Sequence, residues 1–197
     1  MAGFFDISGD VVKAAEAASS FNLIVPPTSK QGKDGPSWTE LGRIREASSE
    51  TVQVDTEGRK CEVLVLHLKI DILKDGSGLN EGRNYKTNFR INRWALENGR
   101  GAEKGSQLSG QRVMSNLSIA RMKSILSACG FAPDTEDGGY SQTFLAECFP
   151  DVSAFGAEPS PLIGLTFWHE LKARESTSKK DGKQYTNYDI QNVLPNP

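Results

Sequence analysis

The stretch RNYKTNFRINRW, residues 83–94, alternates between two kinds of side chain with the period of a β-strand. Its odd positions could pack on a core: Tyr85, Thr87, Phe89 and Ile91. Its even positions carry amides, cations and an aromatic ring: Asn84, Lys86, Asn88, Arg90, Asn92 and Trp94. Successive residues of a strand face opposite sides of a sheet. The pattern therefore predicts a strand with one core face and one basic, aromatic face exposed to solvent.

The composition is that of one globular domain with an appended arm. The 197 residues are 37% hydrophobic and 24% charged, within the range of folded proteins. No apolar run approaches the ~18 residues of a membrane span, and the N-terminus does not resemble a secretory signal. The three cysteines, Cys61, Cys129 and Cys148, lack the spacing of a disulfide framework or a zinc site. We therefore expect ordinary thiols in a reducing cytoplasm, with no membrane association.

Charge is unevenly distributed along the chain, although its net value is only −2. Residues 83–112 hold seven Lys or Arg and two Glu, whereas residues 131–161 hold six acids and no Lys or Arg. A nearly neutral protein can therefore carry a locally basic groove. We expect that groove to involve residues 83–112 and the acidic segment to lie away from its ligand.

Two predicted strands precede residues 83–94. The first is WTELGRIREAS, residues 38–48, which the Ser- and Glu-rich residues that follow would end. The second is EVLVLHLKIDIL, residues 62–73, whose even positions form an apolar face: Leu64, Leu66, Leu68, Ile70 and Ile72. The Gly-rich loop at residues 74–82 would join this strand to residues 83–94 in a long hairpin.

One helix is predicted after the third strand. Residues 97–112 are expected to form a flexible basic loop. The helix is SNLSIARMKSILSACGF, residues 115–131, with Ser115 as N-cap and Gly130 at the C-terminal cap position. Its apolar stripe has helical spacing: Leu117, Ala120, Met122, Ile125, Leu126 and Cys129.

The last third of the chain is predicted to contain a loop region and a hairpin. Residues 131–161 are rich in Pro and Gly and are expected to be mostly loop, with a short helix at SQTFLAECF, residues 141–149. Two strands follow, at residues 162–174 and 183–194, and Asp181–Gly182 is a strong turn signal between them.

Five strands interrupted by one helix after the third is the layout of an OB-fold, a small, partly open five-stranded barrel. The predicted fold class is therefore mainly β, an OB-fold barrel with one helix between strands 3 and 4 and an N-terminal arm. Residues 1–35 are assigned to the arm and its linker, and residues 36–197 to the barrel domain. The arm would either pack on a neighbouring subunit, giving a homo-oligomer, or be mobile.

An OB-fold binds its ligand across the second and third strands and the loops beside them. The basic and aromatic residues predicted there are His67, Lys69, Lys86, Arg90, Arg93 and Trp94. The last hairpin adds Trp168, Lys172, Arg174, Lys183 and Tyr185. Such cations could follow a phosphate track and such rings could stack on unpaired bases. Trp38 and Trp168 could equally be buried core residues, because Trp is highly buried on average.

The same segments resemble a known family. The strand EGRNYKTNFRINRW, the helix SIARMKSILSACGF and the hairpin LIGLTFWHELKARE to DGKQYTNYDIQNV are similar to small single-stranded DNA-binding proteins of phages and prophages. The resemblance covers residues 36–195. It implies sequence-tolerant DNA binding in phage replication or recombination, partners among replication or recombination proteins, and a location in the host cytoplasm. The end of the chain, NVLPNP, lacks the acidic tail through which many such proteins recruit partners.

No catalytic residue, metal or cofactor is predicted, but two other classes of function stay open. Asp151, Glu170 and Lys172 match the short PD…ExK signature of Mg²⁺-dependent nucleases, which often arises by chance. A protein-interaction module on an OB-fold would also explain a basic face. RNA is an alternative to DNA, because stacking and phosphate contacts do not read the sugar. His67 and His169 have no Cys or His at metal spacing.

Overall fold

The computed structural model describes residues 23–32, 35–153, 158–177, 182 and 184–194. Within them the chain forms six strands and three helices. The strands are β1 (Lys30–Gly32), β2 (Gly35–Thr56), β3 (Arg59–Asp75), β4 (Asn84–Asn92), β5 (Thr166–Thr177) and β6 (Gln184–Leu194). The helices are α1 (Arg93–Asn98), α2 (Gln107–Ala128) and α3 (Gln142–Cys148).

The strands form one antiparallel sheet in the order β4–β3–β2–β5–β6, with β1 paired to β2. The mainly β class is confirmed, and so is a helix between β4 and β5. A closed five-stranded barrel is not observed, because within the described residues the sheet has six strands and no pairing joins β4 to β6. These two edges approach each other, since the rings of Tyr85 and Tyr188 lie 6.2 Å apart between centroids.

The sheet stays open beside β4 because α2 covers part of that strand's free edge. The backbone N–H of Arg90 donates to Ser118 Oγ at 3.2 Å, and that of Asn92 donates to Ser115 Oγ at 3.0 Å. These are the donors that a further strand would need at this end of β4. Helix side chains thus satisfy part of the edge that barrel closure would have paired.

β2 is much longer than the predicted first strand. It continues past Ser48 to Thr56, and its Ser- and Glu-rich part pairs with β3 over its whole length. Propensity disfavours such a strand, but cross-strand pairs such as Glu50 with His67, 2.9 Å apart, stabilise it. The predicted end of the first strand is therefore wrong.

The chain turns into a helix at the end of residues 83–94. Asn92 Oδ1 accepts the N–H of Ala95 at 3.0 Å, which makes Asn92 an N-cap. Arg93 and Trp94 consequently lie in α1, and the predicted continuation of the strand through Trp94 is wrong. The alternation is confirmed up to Arg90, because Phe89 is buried and Lys86 is exposed. Asn92, predicted on the solvent-exposed face, is buried instead.

α2 begins at Gln107, eight residues before the predicted start at Ser115. Ser106 is the N-cap, with its Oγ accepting the N–H of Ser109 at 3.2 Å, so the second half of the predicted loop 97–112 is helical. Ser115 instead lies buried within the helix. The apolar stripe is confirmed in its second half, where the buried residues are Met122, Ile125 and Leu126. Leu117 is 43% exposed, and Ala120 is exposed too.

The core lies between one face of the sheet and the second half of α2. It includes Phe89 and Phe167, and it also holds Trp38, whose place in the core had been an open alternative. Leu23 belongs to it too, so the described end of the segment assigned to the arm packs on the sheet. The short helix predicted at residues 141–149 is confirmed as α3. Residues 1–22, the rest of the assigned arm, lie outside the described residues.

A buried polar network crosses this core. Nε2 of His169 lies 2.5 Å from the Tyr85 hydroxyl and 2.9 Å from Oε1 of Glu40, and all three side chains are buried. Trp38 Nε1 donates to Oε2 of Glu40 at 3.1 Å. A Cβ at Gly42 would lie 2.8 Å from Cε1 of His169, so the glycine makes room for the imidazole.

None of the helices among the described residues is long and apolar enough to span a membrane.

Candidate nucleic-acid interface

A groove runs along the free edge of β4, and we call it the edge groove. Its first half, about 400 Å³, lies between residues 84–88 of β4 and residues 186–189 of β6. Its second half, about 530 Å³, lies between β4 and the first part of α2. Three residues line both halves and so mark their junction: Asn88, Arg174 and Asp189.

The edge groove exists because part of β4 has no neighbour on its free side. Alternate residues of an edge strand direct their backbone N–H and C=O groups away from the paired strand. The backbone N–H groups of Arg90 and Asn92 point toward α2, where each donates to a serine hydroxyl. Lys86 and Asn88 have the same parity, so their backbone groups point into the first half of the groove.

Among the described residues, four cations and one carboxylate line the edge groove. Lys86 lines the first half, Arg90 and Arg121 line the second, and Arg174 lies at the junction with Asp189. Lys86 and Arg90 are exposed, and within the described residues neither makes an ion pair. The surplus of positive charge in a concave surface gives the groove an attraction for anions.

The two other arginines both have partners on β6. Nε of Arg174 lies 3.2 Å from Oδ2 of Asp189, and both side chains are partly exposed. A terminal guanidinium nitrogen of Arg121 donates to Oε1 of Gln191 at 3.4 Å. Burial lowers the pKa of the Arg121 guanidinium from its ordinary value and nearby Arg174 lowers it further, while Asp189 opposes both effects. Arg121 stays charged at neutral pH, because an arginine is not deprotonated in proteins.

The remaining lining is amide and aliphatic. The amides are Asn84, Asn88, Asn92, Gln107, Gln111 and Asn187. On α2, Met114 is 56% exposed and Leu117 is 43% exposed, so two apolar side chains face the groove. The aromatic residues among the described lining residues, Tyr85, Phe89 and Tyr188, are all buried in the core. Contacts to a base in this groove would therefore be aliphatic or hydrogen-bonded and not aromatic stacking.

The predicted residues on β3 lie outside the groove, on the outer face of the sheet. His67 lies 2.9 Å from Glu50, and Lys69 Nζ lies 3.0 Å from Oε1 of Glu46. β2 therefore supplies an acid beside each of these two β3 residues. Because of these pairs, the outer face attracts anions less than the sequence suggested.

Arg93 and Trp94 also lie outside the groove, on α1. The guanidinium of Arg59, at the start of β3, lies 5.1 Å from the centre of the Trp94 ring, a cation–π contact. This contact occupies one face of the half-buried indole. A role for Trp94 in base stacking stays a prediction.

The predicted residues of the last hairpin are dispersed. Trp168 and Lys172 are half-buried on the outer face of β5, and Tyr185 is 48% exposed near the start of β6. Lys183 lies outside the described residues. Of the eleven predicted site residues, three line the edge groove: Lys86, Arg90 and Arg174.

The sequence did not identify Arg121, Asp189 and the amides as lining residues. Arg121 belongs to the predicted helix 115–131 but is not among the predicted site residues. Its place in the groove depends on α2 lying along β4, and the polar pairs Ser115–Asn92 and Ser118–Arg90 that fix this packing have no sequence signature. The Asn-rich pattern of residues 84–92 was the available signal for the amides.

The residues of the nuclease signature do not meet. Asp151 forms an isolated β-bridge with Ser49 of β2. Glu170, on β5, pairs with Thr39, which is also on β2. Ten residues of strand separate these two positions, roughly 30 Å at the usual rise. Glu170 is instead bonded to Ser37 and Asn192, which lower the pKa of its carboxyl. Within the described residues no group of three His, Cys, Asp or Glu is arranged to hold a metal ion.

Comparison of the chain with known protein families, with curated proteins and with solved structures found no match. What the edge groove binds is therefore inferred from its own residues.

Proposed function

We propose that the chain is a sequence-tolerant single-stranded DNA-binding protein and that the edge groove holds the strand. The observation that carries this proposal is the groove itself, where Lys86, Arg90, Arg121 and Arg174 converge on an open strand edge and Asp189 is the one carboxylate among the described lining residues. A single strand offers a flexible line of phosphates, and cations in a groove can follow it.

The other lining residues suit unpaired bases. The amides of Asn84 and Asn88 can donate to and accept from the edge of any base, because each carries both functions. Those of Asn92, Gln107 and Gln111 are already hydrogen-bonded within the protein. Met114 and Leu117 offer apolar surface to a base that has left its stack. A duplex hides the base faces that these side chains would contact. Selectivity for single strands follows.

The arrangement of strands supports an OB-fold assignment as part of the proposal. Without the short β1, the strand order is third, second, first, fourth, fifth, with α2 inserted between the third and the fourth. An OB-fold is a partly open five-stranded barrel, and the gap between β4 and β6 is where this one would be open. The resemblance to phage proteins adds replication or recombination as the setting, with the partners that this implies.

The test is a fluorescence-anisotropy titration of a labelled oligo-dT at low and high salt, with duplex DNA and an RNA of equal length as competitors. We expect binding that weakens as salt rises, because phosphate contacts release counterions. We also expect duplex to displace the oligo-dT poorly. The RNA competitor decides whether the sugar is read.

The same titration separates the two alternatives. If the oligonucleotide is cut when Mg²⁺ is added, the chain is a nuclease, although Asp151 and Glu170 do not share a site. Absence of binding at low salt would contradict the proposal and leave a protein-interaction module.

A further inference from the structure

We propose that Asp189 competes with the nucleic-acid backbone for Arg174, so that the Asp189 carboxylate stands where a phosphate binds. This inference rests on the proposed function and adds a regulatory element to it. When the groove is empty, the carboxylate neutralises one of the four cations. When a strand enters, a phosphate replaces the carboxylate, and Arg174 changes partner.

The position of the ion pair supports this role. Arg174 and Asp189 line both halves of the edge groove, so their contact lies at the junction that a strand must cross to occupy both. A strand that uses Lys86 at one end and Arg121 at the other therefore passes the pair. The carboxylate at this point repels a phosphate until its charge is compensated or displaced.

The chemistry of the pair allows the exchange. A guanidinium binds a carboxylate and a phosphate with the same fork of N–H groups, so one anion can substitute for the other. The Arg174 and Asp189 side chains keep 45% and 36% of their surface exposed. Exposed ion pairs contribute little to stability, so their separation costs the fold little.

A second arginine lies close to the same carboxylate. Arg121, Arg174 and Asp189 all line the second half of the groove, and the charges of Arg174 and Asp189 act on Arg121 with opposite signs. Two guanidinium groups around one carboxylate leave a net positive charge, which favours an anion with more charge and more acceptor atoms. A phosphodiester flanked by further phosphates of the strand meets that description.

The decisive variant is Asp189→Asn, compared with Glu46→Gln as a matched control. Both substitutions remove one negative charge and one partner of a basic side chain, but Glu46 pairs with Lys69 on the outer face of the sheet. The probe is labelled oligo-dT over a range of salt concentrations. We expect Asp189→Asn to tighten binding several-fold and Glu46→Gln to change it little.

The salt dependence gives a second readout. In the wild-type protein the phosphate replaces a carboxylate, so the contact with Arg174 releases no net counterion. In Asp189→Asn the phosphate contact with Arg174 does release a counterion. The slope of log affinity against log salt should therefore steepen by about 0.7, the value for one phosphate contact on a single strand. Glu46→Gln should leave the slope unchanged.

A double-variant cycle gives a third readout, and circular dichroism checks that each variant is folded. If Asp189→Asn perturbs the fold, Asp189→Ser, which also removes the charge, takes its place. We expect Arg174→Ala to cost more affinity in the Asp189→Asn background than in the wild-type background, because only there is Arg174 free before binding. If the wild-type protein binds oligo-dT and folded Asp189→Asn binds equally or more weakly, the competition is refuted and the proposed function is not. If the wild-type protein binds no oligo-dT, the proposed function itself fails.

Discussion

Arg90 and Lys69 differ in what surrounds their charge, although the sequence places them on the same face of adjacent strands. Lys69 Nζ lies 3.0 Å from Glu46 on β2, whereas Arg90 lines the edge groove and has no ion-pair partner within the described part of the chain. A cation already paired with an acid gains less from a phosphate than a free one. Arg90 is therefore the stronger phosphate-binding candidate of the two.

We predict that Arg90→Ala weakens oligo-dT binding and lowers the magnitude of its salt slope by about 0.7, because one phosphate contact is lost. Lys69→Ala is the control and should change neither quantity appreciably. The measurement is the anisotropy titration of both variants at several salt concentrations. A larger loss for Lys69→Ala than for Arg90→Ala would assign binding to the outer face of the sheet.

The Tyr85 side chain reaches from the groove into the core. It lines the first half of the groove, and its hydroxyl lies in the buried network with His169 and Glu40. Burial and then the Glu40 charge raise the pKa of the Tyr85 phenol well above its ordinary value of 10.0. The folded state therefore holds this proton more tightly than the unfolded state does.

The pH dependence of stability follows from that shift. Below about pH 10 both states keep the phenol protonated, so the group causes no slope. As pH rises further only the unfolded state releases the proton, and stability falls by up to about 1.4 kcal/mol per pH unit until the folded pKa is reached. We predict that Tyr85→Phe loses stability less steeply than the wild-type protein between pH 10 and 11, measured by urea unfolding. Equal slopes would contradict a buried, neutral phenol.

At the scale of elements, α2 takes the place of a strand beside half of β4. Its serines accept the N–H groups of Arg90 and Asn92, which would otherwise be unpaired at a partly buried edge. An unsatisfied buried donor costs more than the lost hydrogen bond itself contributes. The two hydroxyls thus fix both the position of the helix and the width of the groove.

We predict that Ser115→Ala and Ser118→Ala each destabilise the fold by about 1–3 kcal/mol, since each leaves a backbone donor without its partner. Ser124→Ala is the control on the same helix, because its exposed hydroxyl bonds only to the Ala120 carbonyl. Urea unfolding monitored by circular dichroism gives the comparison. Three equal effects would mean that the hydroxyls do not hold α2 against β4.

The elements that could be predicted from the sequence are those with a clear period. β4 and the second half of β3 show the alternation expected for a half-buried sheet, and their buried positions follow it at Leu66, Leu68 and Phe89. In the first half of β3 the prediction is wrong, because Leu64 is 36% exposed and Val63 and Val65 are buried. The element boundaries that depend on a single N-cap hydrogen bond were not predicted from the sequence. Asn92 and Ser106 are N-caps, but the strand and loop patterns around them dominated the prediction. The long β2 owes its second half to pairing with β3, which its own residues do not indicate.

At the scale of the whole molecule, the candidate site forms where elements distant in sequence meet. β4, α2, β5 and β6 each contribute to the edge groove. Residue type alone placed Lys86, Arg90 and Arg174 among the predicted site residues, and these three line the groove. It could not reveal that Glu46 and Glu50 occupy the outer face, nor that Arg121 and Asp189 are neighbours, because both depend on tertiary packing.

The most direct test of the edge groove is photocrosslinking of a single strand containing 4-thiothymidine, followed by mass spectrometry of the crosslinked peptides. We expect adducts within residues 84–90 of β4, the first part of α2 up to Arg121, and residues 184–191 of β6. Asp189→Asn should increase their yield. Adducts concentrated instead on the outer face, around Glu46, Glu50 and His67, would contradict the assignment of the strand to the edge groove.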